Sequence, residues 1–313
     1  MKVLHLSDTQ LSGAPIRISS LLNKHSDIES RHIVWNTKHA FRSFARDMVG
    51  VSMQKDELRE WLAWADIIHY HNRWKRLEIF KAIGEAPPKK PSVIQMHSPR
   101  ASEDFSEEIA SQLPIAVVGQ YQPRQWTGIL EYIVPNVVDL TEPEYNRELP
   151  AERTWPIVSY APSNWNCKDW DRKSYPIVSP VLKRLVRDKM IYSQVITNQP
   201  HDQTMILKRA ADIGIDEVST GSYHLSSLEY LALGIPCFAN IDTLTYKVLT
   251  DLTGCNTLPW LLANEQTFAS KLFKVIQDKN WRELGAQSRA WMEKFWSPQS
   301  LVNHYKSMYD DLK

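Results

Sequence analysis

The sequence lacks the features that mark secreted and membrane-spanning proteins. Only three of its 313 residues are cysteines (Cys167, Cys237 and Cys255), and they form neither a CxxC pair nor a metal-ligand spacing. An odd, small number of cysteines fits a reducing compartment. No apolar run approaches the roughly 20 residues that span a bilayer. Residues 1–6 enter a strand-like run without a signal-peptide core. We therefore expect a cytoplasmic protein without a transmembrane segment.

The chain also lacks a net charge of either sign. Its 37 basic and 36 acidic residues give a formal charge of +1, so no overall field draws it to nucleic acid or to a membrane. Hydrophobic residues make up 43% of the chain and charged residues 23%, which is usual for folded proteins. A chain of this length can form two domains, each with its own core.

Short apolar runs alternate with amphipathic stretches, which predicts mostly parallel α/β domains of the doubly wound type. In the first half we expect strands at 3–6, 33–35, 67–70, 93–96, 115–118 and 132–134, with helices at 15–23, 55–64, 75–84 and 103–111. In the second half we expect strands at 156–160, 191–197, 212–216, 237–239 and 256–258, then a run of helices over 263–312.

Residues 141–155 break this alternation with Pro143, Pro150 and many charges, so a linker is predicted there. The expected organisation is a Rossmann-like domain over 1–140 and a second one over 156–297. Two such domains would face each other across a central cleft, and ligands of these sheets bind beyond the carboxyl ends of the strands.

The most informative segment is 211–236, which has the pattern of a strand, a turn containing Gly221, a helix carrying Glu229, and a second strand after Gly234. A turn that opens a helix offers free backbone N–H groups and a partial positive charge, which suit a phosphate. Glu229 lies about two turns into the helix. Its carboxylate can accept hydrogen bonds from vicinal hydroxyls, such as those of a nucleotide ribose. This combination is typical of enzymes that use nucleotide sugars.

Several segments resemble motifs of one family, the family-4-like retaining glycosyltransferases with the GT-B fold. In the first half these are the loop Ser12-Gly13-Ala14-Pro15 and the strand ends Asp66-Ile67-Ile68-His69-Tyr70-His71, Gln95-Met96-His97-Ser98-Pro99 and Ile133-Val134-Pro135-Asn136-Val137-Val138-Asp139. In the second half they are Tyr160-Ala161-Pro162-Ser163-Asn164 followed by Lys168, and Asn198-Gln199-Pro200-His201-Asp202. Each motif is weak alone, but together they occur in the family's order and spacing.

The resemblance implies transfer of a sugar from a UDP- or GDP-linked donor to an acceptor hydroxyl, with retention and without a metal or other cofactor. It implies that residues 298–313 form a last helix that crosses back to the first domain. His97 and Lys168 are the expected catalytic residues, with Arg172 and Lys173 as substitutes for Lys168, because positioned cations stabilise a departing diphosphate. The expected donor-binding residues are Gly13, Ser163, Asn164, Gly221, Ser222, Tyr223, His224, Leu225 and Glu229.

Two positions depart from the family pattern. Many members carry a Glu eight residues before the ribose-binding Glu, where this chain has Gly221. His224 stands where a Gly is usual in the phosphate-facing turn. The sugar pocket is therefore expected to differ, and a catalytically silent protein that binds nucleotide sugars is the alternative of another class.

The acceptor is expected to bind the first half, near Arg73, Lys75 and Arg76. These residues surround Trp74, and Arg42 and Arg46 alternate with aromatics at 41 and 44. Cell-surface glycan synthesis, with a glycan or lipid-linked acceptor, is the first interpretation. A phage-type enzyme that modifies hydroxymethylated DNA bases is the alternative, because basic and aromatic side chains grip phosphates and stack bases. The same composition suits peripheral contact with an anionic membrane, or simply a solvated surface.

Two short patterns raise the question of a metal. His69 and His71 form an HxH at a strand end, which also occurs in metal-dependent hydrolases, with Asp8 and His97 as further candidate ligands. Strand alternation sends both histidines to one side, as a structural pair would also require. Asp169-Trp170-Asp171 is a formal DxD, a pattern short enough to arise by chance. We expect no metal site.

Overall fold

The computed structural model describes residues 1–36, 50–73, 77–97, 113–151, 153–162 and 173–313. It divides the chain into two compact units. Unit 1 comprises Met1–Asp139 together with Pro298–Lys313, and unit 2 comprises Leu140–Ser297. Unit 1 is therefore made of two stretches of chain that are far apart in sequence, whereas unit 2 is continuous.

Unit 1 contains a six-stranded sheet in which every strand pair is parallel. Its strands are β1 (Lys2–Ser7), β2 (Glu29–Val34), β3 (Ile67–His71), β4 (Ser92–Met96), β5 (Ile115–Val118) and β6 (Tyr132–Val134), in the order β2-β1-β3-β4-β5-β6. All residues of β3, β4 and β5 are buried. Such uninterrupted burial is expected of strands covered on both faces, and it makes the buried polar residues of β3 and β4, such as His69, His71 and Gln95, unusual.

Helices of unit 1 lie between the strands and at the end of the chain. They are α1 (Ala14–His25), α2 (Lys55–Trp64), α3 (Glu78–Ile83), the single turn α4 (Gln122–Gln125) and, after all of unit 2, α11 (Pro298–Asp311). The last helix belongs to this unit because it packs on α1 and β6. It buries Leu301, Val302, Tyr305, Met308 and Tyr309, whose spacing of three and four residues defines one helix face.

Unit 2 contains a five-stranded parallel sheet in the order β11-β10-β9-β7-β8. Its strands are β7 (Ile157–Tyr160), β8 (Tyr192–Val195), β9 (Ile213–Glu217), β10 (Cys237–Ala239) and β11 (Leu261–Leu262). Its helices are α5 (Tyr175–Arg187), α6 (His201–Arg209), α7 (Leu225–Ala232), α8 (Thr243–Thr253), α9 (Phe268–Asp278) and α10 (Trp281–Phe295). The two described cysteines, Cys237 and Cys255, are unpaired.

One strand expected from the sequence is wrong. Residues 256–258 form no strand, and the last strand of the sheet is Leu261–Leu262, which pairs with Phe238 and Ala239. The carbonyl groups of Asn256 and Thr257 accept hydrogen bonds from the side chains of Tyr246 and Trp291. Since these carbonyls are used by side chains, and Pro259 has no N–H to donate, ladder pairing begins only beyond the proline.

Among the described residues, no helix combines the length and the apolar character needed to cross a bilayer. The helix expected at 103–111 lies outside the described residues.

Candidate functional site

Each sheet has one place where the strand order reverses, and this place locates its ligand edge. In unit 2 the reversal lies between β7 and β9, and in unit 1 it lies between β1 and β3. Ligands of open parallel sheets bind outside the carboxyl ends of the strands at such a point. The loop after β9, which carries Gly221–His224, and the histidines of β1 and β3 are therefore at the two expected positions.

The loop after β9 is held by two carboxylates at the end of that strand. Asp216 Oδ2 accepts the His224 backbone N–H at 2.6 Å, and His224 Nδ1 lies 3.3 Å from the same oxygen. Glu217 Oε2 accepts the backbone N–H groups of Ser219 and Thr220. Burial acts to raise the pKa of Asp216, but the charge and hydrogen bonds of His224 outweigh it and lower that pKa to about 2. The loop is thus tied to the strand by an ionised carboxylate.

The side chains of this loop face inward. Ser222 and Tyr223 are fully buried, and the Tyr223 ring packs on Trp260 with ring centroids 4.9 Å apart. Helix α7 then begins at Leu225, with His224 as its N-cap residue and no side-chain hydrogen bond at the cap. Because Ser222 and Tyr223 offer no exposed side chain, their contribution to a ligand would come from backbone N–H groups of the kind found at helix starts.

Glu229 is buried in α7 and contacts a lysine and a histidine side chain. Lys208 Nζ donates to its Oε2 at 2.7 Å, and His201 Nε2 lies 3.1 Å from its Oε1. Lys208 also donates to the Ser226 hydroxyl and carbonyl, and its ammonium lies over the Tyr230 ring. The carboxylate is therefore not an exposed helix residue. An ionised carboxylate has about four acceptor positions, and each of its two oxygens has one of these contacts.

Gly221 adopts a left-handed conformation with φ of +77°, and Asp242 is packed against it. A Cβ built at Gly221 would lie 2.7 Å from Asp242 Oδ2. Asp242 in turn caps α8 by accepting the Thr245 backbone N–H, while the Thr245 hydroxyl donates to the Gly221 carbonyl. This packing gives a physical reason for the departure from the family pattern, because any side chain at this position would require Asp242, which caps α8, to move.

The residues expected to bind the diphosphate fall into two groups. Ser163, Asn164, Lys168 and Arg172, together with the DxD at 169–171, lie outside the described residues. Lys173 is described and buried; its carbonyl accepts a hydrogen bond from the Tyr160 hydroxyl. The charge of Lys173 contributes to the low pKa of Asp216, which places this substitute cation near the loop after β9.

Unit 1 contains a group of four histidines, of which His5, His69 and His71 are buried and His97 is half-buried. The rings of His69 and His71 stack with centroids 4.4 Å apart and 12° between their planes. Nδ1 of His5 lies 3.0 Å from Nε2 of His71, and Nδ1 of His71 lies 2.8 Å from Nε2 of His97. Burial is the largest cause of lowered pKa values at all four histidines. These imidazoles are therefore neutral at neutral pH.

The position of His97 is fixed by its backbone. Its N–H donates to the Asn72 side-chain oxygen at 2.8 Å, and its carbonyl accepts from Gln122 Nε2 at 2.9 Å. Burial lowers the pKa of its imidazole to about 3. His97 follows β4 and is joined to the histidines of β1 and β3, so a neutral imidazole is held at the ligand edge of this sheet.

The other described candidates of unit 1 lie in loops that follow its strands. Gly13 is buried and starts α1 with φ of +82°. Asp8 accepts the Glu78 backbone N–H at the start of α3; burial raises its pKa, and the charge of Arg73 counteracts this. Arg73 is exposed after β3. Lys75 and Arg76, like the basic and aromatic residues over 41–46, lie outside the described residues.

In the part of the chain that the structure describes, one group of side chains has the geometry of metal ligands. His5, His69 and His71 offer nitrogen atoms within 4.8 Å of one another. Nitrogens of the group are also hydrogen bonded, since Nδ1 of His69 lies 2.7 Å from the Tyr309 hydroxyl. The group contains no carboxylate, although three histidines alone can form a zinc ligand set. The expectation of no metal stays a prediction.

Sequence reasoning missed several residues of these sites. They are His5 in unit 1 and Lys208, Asp216 and Asp242 in unit 2. His5 is in register with His69 across β1 and β3, and residues in register point to the same face. His5 could therefore have been identified from the sequence, because it is a polar residue inside the apolar run of β1. Lys208 carried no signal, because its pattern is that of an ordinary helix lysine.

No family model matches the sequence, and no curated protein matches it either. Solved structures do match over the whole chain. HepE from Anabaena, in complex with UDP and glucose, has a TM-score of 0.64 at 11% identity, covering 99% of this chain and 100% of its own. Sucrose-phosphate synthase from Thermosynechococcus elongatus has a TM-score of 0.57 at 13% identity, covering 100% and 99%. WaaG, described as a glycosyltransferase of lipopolysaccharide biosynthesis, has a TM-score of 0.51 at 12% identity, covering 99% of both chains.

These similarities, with the two parallel sheets, confirm the fold class expected from the sequence. The chain has the GT-B fold of two Rossmann-like α/β domains. At 11–13% identity they show the fold alone, and fold does not by itself determine function.

Proposed function

We propose that this protein is a glycosyltransferase that moves a sugar from a UDP- or GDP-linked donor to an acceptor hydroxyl, as a family-4-like enzyme that retains configuration. The observation that carries the proposal is the loop–helix segment 218–232 of unit 2. It combines a glycine turn, a helix start and a buried glutamate two turns further on. One neighbour of the same fold, HepE, was solved with UDP and glucose and with UDP-glucose, which supports a donor of this kind.

Each part of the segment has a role in this proposal. Backbone N–H groups at the start of α7, those of Leu225 and Ser226, bind the diphosphate, since a helix start favours negative charge; the His224 N–H takes no part because it donates to Asp216. Glu229 accepts the ribose hydroxyls, and Lys208 and His201 hold its carboxylate in place. Lys168, or Lys173 in its place, stabilises the departing diphosphate. His97 contacts an oxygen of the donor.

In the transfer step, the bond between the anomeric carbon and the diphosphate oxygen breaks. A bond from the same carbon to the acceptor oxygen forms, and the acceptor's proton passes to the departing diphosphate. No side-chain nucleophile and no metal take part. The acceptor is a glycan of the cell surface, a role for which the whole-chain similarity to WaaG is the support. Loss of acceptor binding with rising salt would instead favour DNA.

Calorimetry and thermal-shift measurements with a panel of nucleotides and nucleotide sugars test the donor site. A matching nucleoside diphosphate should raise the melting temperature, because it binds only the folded state. In the Glu229→Gln variant the dissociation constant should rise about 10- to 100-fold, since one hydrogen bond to a charged group, worth about 1.5–3 kcal/mol, is lost.

Glu265→Gln is the matched control, because Glu265 is an exposed glutamate of the same unit. It should bind the donor as the unaltered protein does. If no nucleotide raises the melting temperature, the proposed donor site is wrong. If Glu229→Gln binds the donor as tightly as the unaltered protein, Glu229 does not bind the ribose. Slow hydrolysis of the donor without acceptor would separate an enzyme from a silent binding protein.

Chelation tests the expectation of a metal-free reaction. Activity should stay within about twofold after dialysis against EDTA, because a backbone helix start and lysine side chains carry the charge compensation that a cation provides elsewhere. The measurement is the initial rate of transfer before and after dialysis. An activity lost to EDTA and restored by Mn²⁺ or Zn²⁺ would contradict it and return attention to the DxD at 169–171 or to the buried histidines.

A further inference from the structure

Three histidines of unit 1 form a continuous hydrogen-bonded chain that runs from two buried residues to the half-buried His97. The first contact joins Nδ1 of His5 to Nε2 of His71 at 3.0 Å, and the second joins Nδ1 of His71 to Nε2 of His97 at 2.8 Å. His5 and His71 are 0% and 1% exposed. We call these three residues the histidine chain. Because Nε2 of His97 is bonded to His71, Nδ1 is the nitrogen that it offers to a ligand.

Each ring of the histidine chain carries a single N–H hydrogen. Burial is the largest cause that lowers the pKa of each of the three imidazoles, so they are neutral at neutral pH. A neutral imidazole has one donor nitrogen and one acceptor nitrogen. His71 uses both nitrogens, so it donates through one and accepts through the other. The hydrogens of the three rings must therefore all point in one direction along the chain.

The two possible arrangements of the hydrogens differ at Nε2 of His5. Among the described residues, this buried nitrogen has no hydrogen-bond partner in either arrangement, but it carries a hydrogen in only one of them. If the hydrogens run from His97 toward His5, this nitrogen is an N–H without an acceptor. If they run from His5 toward His97, it is a lone pair without a donor. In proteins, as backbone groups show, a buried N–H without an acceptor is the rarer case.

We propose that His71 and His5 are positioning residues that hold His97 in the tautomer with its hydrogen on Nδ1. In this arrangement His5 Nδ1–H donates to His71 Nε2, and His71 Nδ1–H donates to His97 Nε2. His97 then presents Nδ1–H as a hydrogen-bond donor to an oxygen of the nucleotide-sugar substrate. The identity of that ligand rests on the function proposed above.

This assignment decides what His97 can do in the reaction. A nitrogen that carries a hydrogen cannot take a proton from an acceptor hydroxyl, so His97 is not the general base. It can stabilise negative charge that develops on a phosphate or sugar oxygen, as a fixed donor in a buried site does. The acceptor's proton then has to leave by another route, which fits its transfer to the departing diphosphate.

The tautomer can be measured directly on the unaltered protein by nitrogen-15 NMR of labelled histidines, without ligand and in EDTA. A nitrogen that carries hydrogen and one that does not have well-separated shifts. We expect His97 to show a protonated Nδ1 and a bare Nε2, with the same pattern at His71 and His5. A protonated Nε2 at His97 would overturn the proposal. Zinc that shifts the His5, His69 and His71 signals at one equivalent would overturn it as well, by showing a metal site.

Two amide variants separate positioning from simple packing. His71→Asn places an amide nitrogen where Nδ1 was and can still donate to His97, whereas His71→Gln places it where Nε2 was and cannot. The Asn variant should keep the Nδ1–H signal of His97 and most of the turnover. The Gln variant should lose that signal and lower kcat about tenfold, the worth of one hydrogen bond of about 1.5 kcal/mol, with KM for the donor little changed.

If His71→Asn and His71→Gln lose kcat and the His97 Nδ1–H signal to the same extent, His71 serves only packing and the positioning role is wrong. The result is separable from the proposed function, because the tautomer is recorded without any nucleotide. If the His97 signal is as expected but no nucleotide binds, the transferase proposal fails while the histidine chain stands. If nucleotide binds and His97 has the other tautomer, only the positioning role fails.

Discussion

Replacement of Lys208 by methionine should lower the free energy of unfolding of unit 2 by about 3–5 kcal/mol. The two side chains of the Lys208–Glu229 ion pair are 1% and 6% exposed. Breaking a buried ion pair by removing one partner costs about 3–5 kcal/mol, and the neighbouring His201 at 3.1 Å does not replace the ammonium at Oε2. Urea unfolding followed by hydrogen exchange of unit 2 peptides measures this, because a two-unit chain need not unfold in one step. Donor affinity should fall as well, since Glu229 loses the contact that holds its carboxylate.

The chain offers a matched control and a rescue for this prediction. Lys247 and Asp251 form an ion pair of similar length on α8, at 2.6 Å, but with side chains that are 72% and 62% exposed. Lys247→Met should cost at most about 1 kcal/mol, as exposed pairs do. The double variant Lys208→Met/Glu229→Gln should regain most of the lost stability, because replacing both charges is often neutral, yet it should not regain donor binding. Equal effects of the two lysine substitutions would refute the importance of burial here.

Substitution of Gly221 by alanine should destabilise unit 2 by about 2–4 kcal/mol and weaken donor binding. An L-residue at a φ of +77° is strained by about 1–2 kcal/mol. The added Cβ would also lie 2.7 Å from Asp242 Oδ2, and overpacking of this kind costs about 1–3 kcal/mol. The same chemical unfolding experiment measures the loss, and calorimetry with the nucleoside diphosphate measures the affinity.

Gly254→Ala separates the backbone strain of an alanine at positive φ from the overpacking against Asp242. Gly254 has a φ of +65°, but a Cβ there meets no heavy atom within 4 Å, so only the backbone strain of about 1–2 kcal/mol should appear. The double variant Gly221→Ala/Asp242→Ser should recover the stability lost through overpacking but not the stability lost through backbone strain. Serine at 242 still caps α8. If Gly221→Ala costs no more than Gly254→Ala, the contact with Asp242 does not constrain the loop.

The parts of the fold that local sequence determines were predictable. The strands at 115–118, 132–134 and 237–239 were predicted with the bounds that the structure gives, because each is a short apolar run between helical stretches. Helix α7 and its glycine turn were also placed correctly, since the turn chemistry and the helix are contiguous in sequence. The strand predicted at 256–258 failed because side chains that are distant in sequence take its carbonyl groups.

The sites were predictable only where their residues are neighbours in sequence. Glu229 was found from its distance to Gly221, but its partner Lys208 is 21 residues away in the chain. His71 and His97 were both singled out, yet the bond between their rings joins two different strands, and His5 enters from a third. No local pattern encodes which of many helix lysines or strand histidines will be brought together by packing. Such pairings follow from strand order and register, which the structure supplies.

The two-part construction of unit 1 has a consequence for the order in which the chain folds during synthesis. Nδ1 of His69 lies 2.7 Å from the Tyr309 hydroxyl, and Tyr305 donates to the Pro135 carbonyl, so α11 completes unit 1 at the histidines of β3 and beside β6. Domains usually form in the order in which the ribosome releases them, N-terminal first. Here unit 2 can be finished while unit 1 still lacks its last helix. His69 thus lacks its tyrosine neighbours until residues 298–311 emerge, and the first domain to begin folding is the last to finish.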